Sequence, residues 1–173
     1  MFKFTSREEK LIYILSKFNC VSVDNIRNYC IASNKAIGHK RLKQLEKMKF
    51  IEKITIVEKD LTETQTYILG KKGIEEAKDR YNSYYKSNSP IHDLKHSNYI
   101  FKNFSNEDLK YYKHEKELPP GERGASRSDG AFIYSDNSII LVETYTRNYT
   151  QERKEAKLRY ADQLGCDMLI NIA

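Results

Sequence analysis

The chain has 173 residues, with 30 Lys and Arg against 24 Asp and Glu, a formal net charge of +6 and 39% hydrophobic residues. That length holds one ordinary domain or two small ones, and no apolar run approaches the ~20 residues that span a bilayer. The N-terminal segment passes directly into charge, so neither a membrane protein nor a secreted precursor is expected, and a cytoplasmic protein is left.

Cys20, Cys30 and Cys166 lack CxxC spacing. This argues against a disulfide framework and a zinc ribbon, and the three read as small reduced hydrophobes. The charge is uneven: residues 1–90 carry 18 basic and 11 acidic side chains, a balance of +7, whereas residues 91–173 carry 12 and 13, a balance of −1. One half is therefore expected to meet a polyanion, with nucleic acid the leading partner, and the other to do something else.

In chain order, Ser6 and Glu9 have capping-box spacing ahead of an apolar stripe of Leu11, Ile12, Ile14, Leu15 and Phe18, which predicts a helix over 7–18. Ser22 and Asp24 offer caps for a short second helix with Ile26, Tyr29 and Cys30 on one face. A turn at 31–34 leads into a longer helix with Ala36, Ile37, Leu42, Leu45 and Met48 inward. Ser33, Asn34, Lys35, His39, Lys40, Arg41, Lys43, Gln44 and Lys47 fall at its start or on its other faces. Lys and Arg there suit phosphates, and Ser33, Asn34, His39, Arg41 and Gln44 are side chains able to read base edges. Residues 50–57 alternate as a strand, 58–65 form a polar tip containing Lys59, and 66–69 return as a second strand, giving a hairpin wing before a helix that begins near Lys71.

This order predicts a winged helix-turn-helix. The passages RLKQLEKMKFIEKI and TYILGKKGIEEA resemble the recognition-helix-to-wing segment of bacterial winged-helix DNA-binding proteins. Winged helices also serve as protein-interaction modules, but the positive excess coincides with the helix that should enter a groove. A polar run ending in Pro90 places a domain boundary near residue 88, giving a DNA-binding domain over 1–88 and a second domain over 89–173.

The second half opens with a helix bearing Tyr99, Ile100 and Phe104; His92 and His96 stand at i, i+4 on it without an evident third metal ligand, so packing or helix-end roles are expected. Glu115 and Glu117 follow, then a Pro119-Pro120-Gly121 break. Ser128-Asp129-Gly130 enters a strand, a turn at 135–138 leads to a second strand carrying Glu143, and a helix over 151–164 containing Lys157 and Tyr160 precedes a closing strand.

That order of carboxylates resembles the core of the PD-(D/E)XK nuclease superfamily, and within it the replication-relaxation family of plasmid and mobile-element proteins, which pairs a winged helix with such a domain. The matching positions are His96, Glu115, Glu117, Ser128-Asp129-Gly130, Val142-Glu143-Thr144-Tyr145, Lys157 and Tyr160. The resemblance implies an α+β chain in which Asp129 and Glu143 bind a divalent metal, with Glu115 and Lys157 in the same catalytic set. Ser128 stands where the superfamily has Pro, and Tyr145 where a nuclease places its Lys, for which Lys157 or Arg147 could substitute. A retained fold without cleavage is therefore the expectation, with Glu143 instead salt-bridged to Arg127, Arg147 or Lys157.

The function expected is that of a sequence-specific duplex-DNA-binding protein of a plasmid or mobile element, an accessory or regulator at an origin of replication or conjugative transfer. Its partners would be double-stranded DNA, replication or transfer proteins and a second copy of itself, with no membrane. DNA binding requires no cofactor. The alternatives are an Mg2+-dependent endonuclease or nickase using Asp129 and Glu143, and a dimeric winged-helix transcriptional repressor.

Overall fold

A computed structural model of the chain describes residues 4–29, 35–58, 60–86, 88–145 and 149–172. The fold is α+β and divides into two compact units, Met1–Phe101 and Lys102–Ala173. Among the described residues no helix is long and apolar enough to cross a membrane.

The first unit runs α1 (Ser6–Phe18), β1 (Val21–Ser22), α2 (Val23–Tyr29), α3 (Lys35–Lys47), β2 (Ile51–Val57), β3 (Glu63–Leu69), α4 (Lys71–Tyr81) and α5 (Pro90–Asn103). Its sheet is antiparallel in the order β1-β3-β2, with Val21 opposite Tyr67 and Ile51 opposite Leu69. Leu11, Ile12, Ile14 and Leu15 of α1, Ile26 of α2, Leu42 and Leu45 of α3, Ile51 of β2 and Ala77 of α4 make the core, each almost wholly withdrawn from solvent. Their helical spacing puts the apolar positions of each helix on one face, which is what drives the packing.

Cys20 is buried beside β1, and desolvation pushes its thiol up to about 11, as suits a small hydrophobe rather than a redox group.

One local detail differs from the sequence reading, and a second decides between the alternatives it left. The cap of α1 is Thr5, paired reciprocally with Glu8, one residue earlier than Ser6 and Glu9. Both pairs have capping-box spacing, and a tertiary contact selects between them: Glu8, buried on α1, receives the guanidinium of Arg41 on α3 through Nε and, at 3.0 Å, through Nη2. The second helix starts at Val23 because Ser22, not Asp24, caps it, its hydroxyl accepting the Asn25 N–H at 3.2 Å.

The division between units falls within α5 rather than near residue 88. Leu94 of α5 packs against Cys20 and Ile56. Asn19 Nδ2 donates to buried Asp93 at 2.6 Å, Ser97 Oγ to the Cys20 carbonyl at 2.8 Å, and Asn25 Nδ2 to Asn98 at 2.8 Å. The composition change at 80–90 marks a connecting segment, while these contacts decide where most of α5 folds. His92 and His96 lie ring over ring at 6.4 Å, the latter buried.

The second unit runs β4 (Tyr112–His114), β5 (Gly130–Ile133), β6 (Ile139–Thr144), α6 (Gln151–Leu164) and β7 (Met168–Ile172), with short 3-10 turns at Asp108–Tyr111 and Glu115–Glu117. The sheet order is β4-β5-β6-β7; the first two pairings are antiparallel, and α6 carries the chain from β6 to the parallel strand β7. Tyr160 and Ala161 of α6 pack on Ala131 and Leu141 of the sheet and on Leu118. Gly130 is required by close approach: a Cβ there would lie 2.6 Å from Cε2 of Tyr112, whose ring crosses it from β4.

Arg41→Ala leaves the buried Glu8 carboxylate without its cation. It is expected to lower the unfolding free energy by about 1–3 kcal/mol, whereas exposed Lys40→Ala changes it by no more than about 0.5 kcal/mol. Denaturant melts of the two variants check the contrast. Burial raises the Glu8 carboxyl, but the bonds from Arg41 and Thr5 prevail and hold it below its ordinary value. The stability due to this pair is therefore present at neutral pH and lost as pH falls through the depressed value.

Candidate functional site

Two sets of side chains have the chemistry to act, one in each unit. The first is the outward face of α3. Gly38, Leu42 and Leu45 are buried, while His39, Lys40, Lys43, Gln44 and Lys47 are exposed, so the i, i+4 series 39, 43, 47 and its neighbours 40 and 44 form one polar, cationic stripe. Arg41, placed with these residues by the sequence reading, instead turns towards Glu8 of α1, and its Nη1 donates to the Gln44 side chain at 2.7 Å. It anchors the helix from behind. Ser33, Asn34 and Lys59 lie outside the described residues, as does the side chain of Lys35.

The hairpin tip bears exposed Asp60 and Glu63. The Thr62 N–H bonds to Asp60 and holds that carboxyl below its ordinary value. Leu61, 80% exposed, sits there at φ 66°. An acidic tip is a poor match for phosphate.

The second set is buried in the sheet of the second unit. Residues two apart on a strand share a face, so Asp129 follows Ala131 and Glu143 follows Leu141 onto the side covered by α6. The pairing of Gly130 with Val142 then brings Asp129 beside Glu143. On α6 the i, i+3, i+4 positions Lys157, Tyr160 and Ala161 are all buried, which turns the lysine into the same layer as the carboxylates.

Lys157 Nζ lies 2.7 Å from Glu143 Oε1 and 3.7 Å from Asp129 Oδ1, and also donates to the Arg127 carbonyl. Glu143 is fully buried. Its Oε1 also accepts from the Tyr149 hydroxyl at 2.7 Å. Its Oε2 accepts from Ser128 Oγ at 3.0 Å and the Asp129 N–H at 3.2 Å. Asp129 Oδ2 accepts the Thr144 N–H at 2.8 Å. The Tyr145 and Tyr149 rings pack at 4.9 Å, with the Lys154 ammonium 5.5 Å above Tyr145.

Burial and then the Asp129 charge push the Glu143 carboxyl above its ordinary value, while Lys157 and Tyr149 oppose the shift. Burial and the charge of Glu143 in turn raise the Tyr149 phenol, which stays a donor.

The geometry brings together Asp129, Glu143 and Lys157. Glu115 meets the cluster only through its backbone, its N–H bonding the Asp129 carbonyl at 3.0 Å. Arg127 does not pair with Glu143; its Nε donates to the Pro119 carbonyl at 3.1 Å. Arg147 lies outside the described residues. Sequence reasoning missed Tyr149, whose hydroxyl reaches Glu143 from the residue before the Thr150 cap of α6, a contact that no residue pattern announces. It noted Ser128 only as a departure from Pro, although a hydroxyl is what reaches both Glu143 and the Val142 carbonyl.

A divalent cation does not fit this arrangement. A carboxylate offers about four acceptor directions, and Glu143 already meets Lys157, Tyr149 and the Asp129 N–H, with the single Ser128 hydroxyl proton shared between it and the Val142 carbonyl. Asp129 and Glu143 are the residues that would hold such an ion, and Lys157 already faces both. Comparison with protein-family models, curated proteins and solved structures found no match.

Lys157→Met strips the counter-charge from a buried carboxylate pair and is expected to cost about 3–5 kcal/mol at pH 7. Because the folded state binds the Glu143 proton more tightly than the unfolded chain, the loss should shrink as pH falls through the raised value. Urea denaturation of wild type and variant at pH 7 and pH 5 measures both effects; a small, pH-independent loss would contradict the charge balance described.

Proposed function

We propose that the chain is a sequence-specific double-stranded DNA-binding protein, an accessory or regulator at an origin of replication or transfer of a plasmid or mobile element. In this reading the first unit is a winged helix-turn-helix. Its order of helices and strands, with the hairpin β2-β3 beside β1, is compatible with that fold, and α3 is the recognition helix. The observation that carries the reading is the exposed stripe of His39, Lys40, Lys43, Gln44 and Lys47 on a helix whose opposite face is held by Leu42, Leu45 and the Arg41–Glu8 pair. The lysines neutralise phosphates and set register, and His39 and Gln44 are placed to contact base edges. The acidic hairpin tip is assigned no phosphate contact.

The second unit, with α6 crossing between the parallel strands β6 and β7, is taken as a PD-(D/E)XK-like domain as in the replication-relaxation family. Its carboxylates are satisfied internally by Lys157. A second reading, a metal-dependent nuclease guided by its own DNA-binding unit, draws on the convergence of Asp129, Glu143 and Lys157 and requires Lys157 to leave the carboxylates when a metal binds. Incubation of supercoiled plasmid with Mg2+ or Mn2+ separates the two: the binder leaves it intact, whereas nicking that is lost in Asp129→Ala and Glu143→Ala establishes the nuclease.

For DNA binding, the combined Lys40→Ala, Lys43→Ala and Lys47→Ala variant should bind duplex more weakly. Its salt dependence should flatten by about 0.9 in log–log slope for each lost phosphate contact. Fluorescence anisotropy across a salt series reads this directly, and unchanged affinity would refute the assignment of α3.

A further inference from the structure

The carboxylate pair of the second unit carries a cation made of protein, and this has a consequence for metal binding that is independent of whether the first unit binds DNA. An ammonium has three protons to place. Lys157 Nζ lies 2.7 Å from Glu143 Oε1 and donates to the Arg127 carbonyl, and Asp129 Oδ1 stands 3.7 Å away as a further counter-charge, so the ammonium is bonded to one carboxylate and ion-paired with the other. Its side chain is 8% exposed, that of Asp129 12% and that of Glu143 fully buried, so water contributes little to neutralising the pair.

The supporting bonds fix the oxygens in place. Thr144 N–H holds Asp129 Oδ2, while Ser128, the Asp129 N–H and Tyr149 hold Glu143. Two carboxylates held rigidly about a common point are a template for a hard cation, and Lys157 already fills that point.

We propose that Lys157 is the resident counter-ion that keeps Asp129 and Glu143 from binding a divalent metal, and that removing its charge converts the pair into a divalent-cation site. A metal approaching the wild-type pair would have to drive a buried ammonium away from both carboxylates and the Arg127 carbonyl, leaving it uncompensated in the protein interior. Without the ammonium, two like charges remain at close range in a buried pocket, with the Arg127 carbonyl as a further oxygen donor. A divalent ion then relieves the repulsion that methionine cannot.

The full chain tests this as wild type, Asp129→Asn, Lys157→Met and the double variant Lys157→Met with Asp129→Asn. Each is melted by circular dichroism with chelator or with millimolar MnCl2, and bound Mn2+ is counted by electron paramagnetic resonance. The expected result is a wild-type melting temperature that stays within about 1 °C, and a Lys157→Met protein that melts lower in chelator and gains several degrees with Mn2+. Its Mn2+ affinity should be at least about tenfold above that of wild type, and the double variant should lose the gain. A wild-type rise that Asp129→Asn abolishes would overturn the proposal. So would a folded Lys157→Met protein that ignores Mn2+. Should methionine prevent folding in both buffers, Lys157→Gln carries the same comparison, and the wild-type arm is decisive against the proposal on its own.

Discussion

A carboxylate shut away from water must find a donor for each lone pair or give up its charge, and Glu143 is held to that condition. Its four donors come from different places in the second unit: Lys157 from the helix, Tyr149 from the segment before it, and Ser128 and the Asp129 N–H from the entry to β5. Satisfying one side chain therefore ties α6, the end of β6 and the start of β5 to a common point. The apolar contacts of Tyr160 and Ala161 with Ala131 and Leu141 supply the burial, and the polar network fixes where along the strands α6 must sit. Gly130 completes the arrangement, since the Tyr112 ring passes over the residue that follows Asp129.

The same rule sorts the cations of the first unit. Glu8 is buried on α1 and draws Arg41 out of the basic series on α3, leaving His39, Lys40, Lys43 and Lys47 on the outward face. A net charge thus says little about a partner until the cations committed to internal carboxylates are separated from those that face outward. In the proposed function, the outward series meets DNA, Arg41 sets the helix from which it projects, and Lys157 closes a charge balance inside the other unit.

Much of this was legible in the sequence, and the exceptions have physical causes. Helical periodicity located α1 and α3 and alternation located β2, because burial of one face imposes those repeats, while β6 was marked by a continuous apolar run. The cap of α1 was ambiguous since Thr5–Glu8 and Ser6–Glu9 have equal spacing; the choice rests on Arg41, 33 residues further along the chain. The allocation of α5 depends on Asn19, Cys20 and Asn25, contacts that no local pattern encodes. Asp129, Glu143 and Lys157 were singled out by their order along the chain. Their joint geometry had a further signal: a lysine sharing a helical stripe with Tyr160 and Ala161, and a glutamate sharing a strand face with Leu141, each interrupts an apolar surface that only a buried partner of opposite charge can complete. Tyr149 had no such signal.

The account as a whole assigns contact with DNA to α3 and an internal structural role to the carboxylate–lysine cluster. Titration of the isotopically labelled full chain with duplex DNA in the presence of Mg2+, followed by heteronuclear NMR, tests both halves at once. The account predicts shifts centred on residues 39–47, with the amides of Asp129, Glu143 and Lys157 unmoved and the duplex intact. Shifts centred on Asp129 and Glu143, with cleaved DNA in the tube, would contradict it.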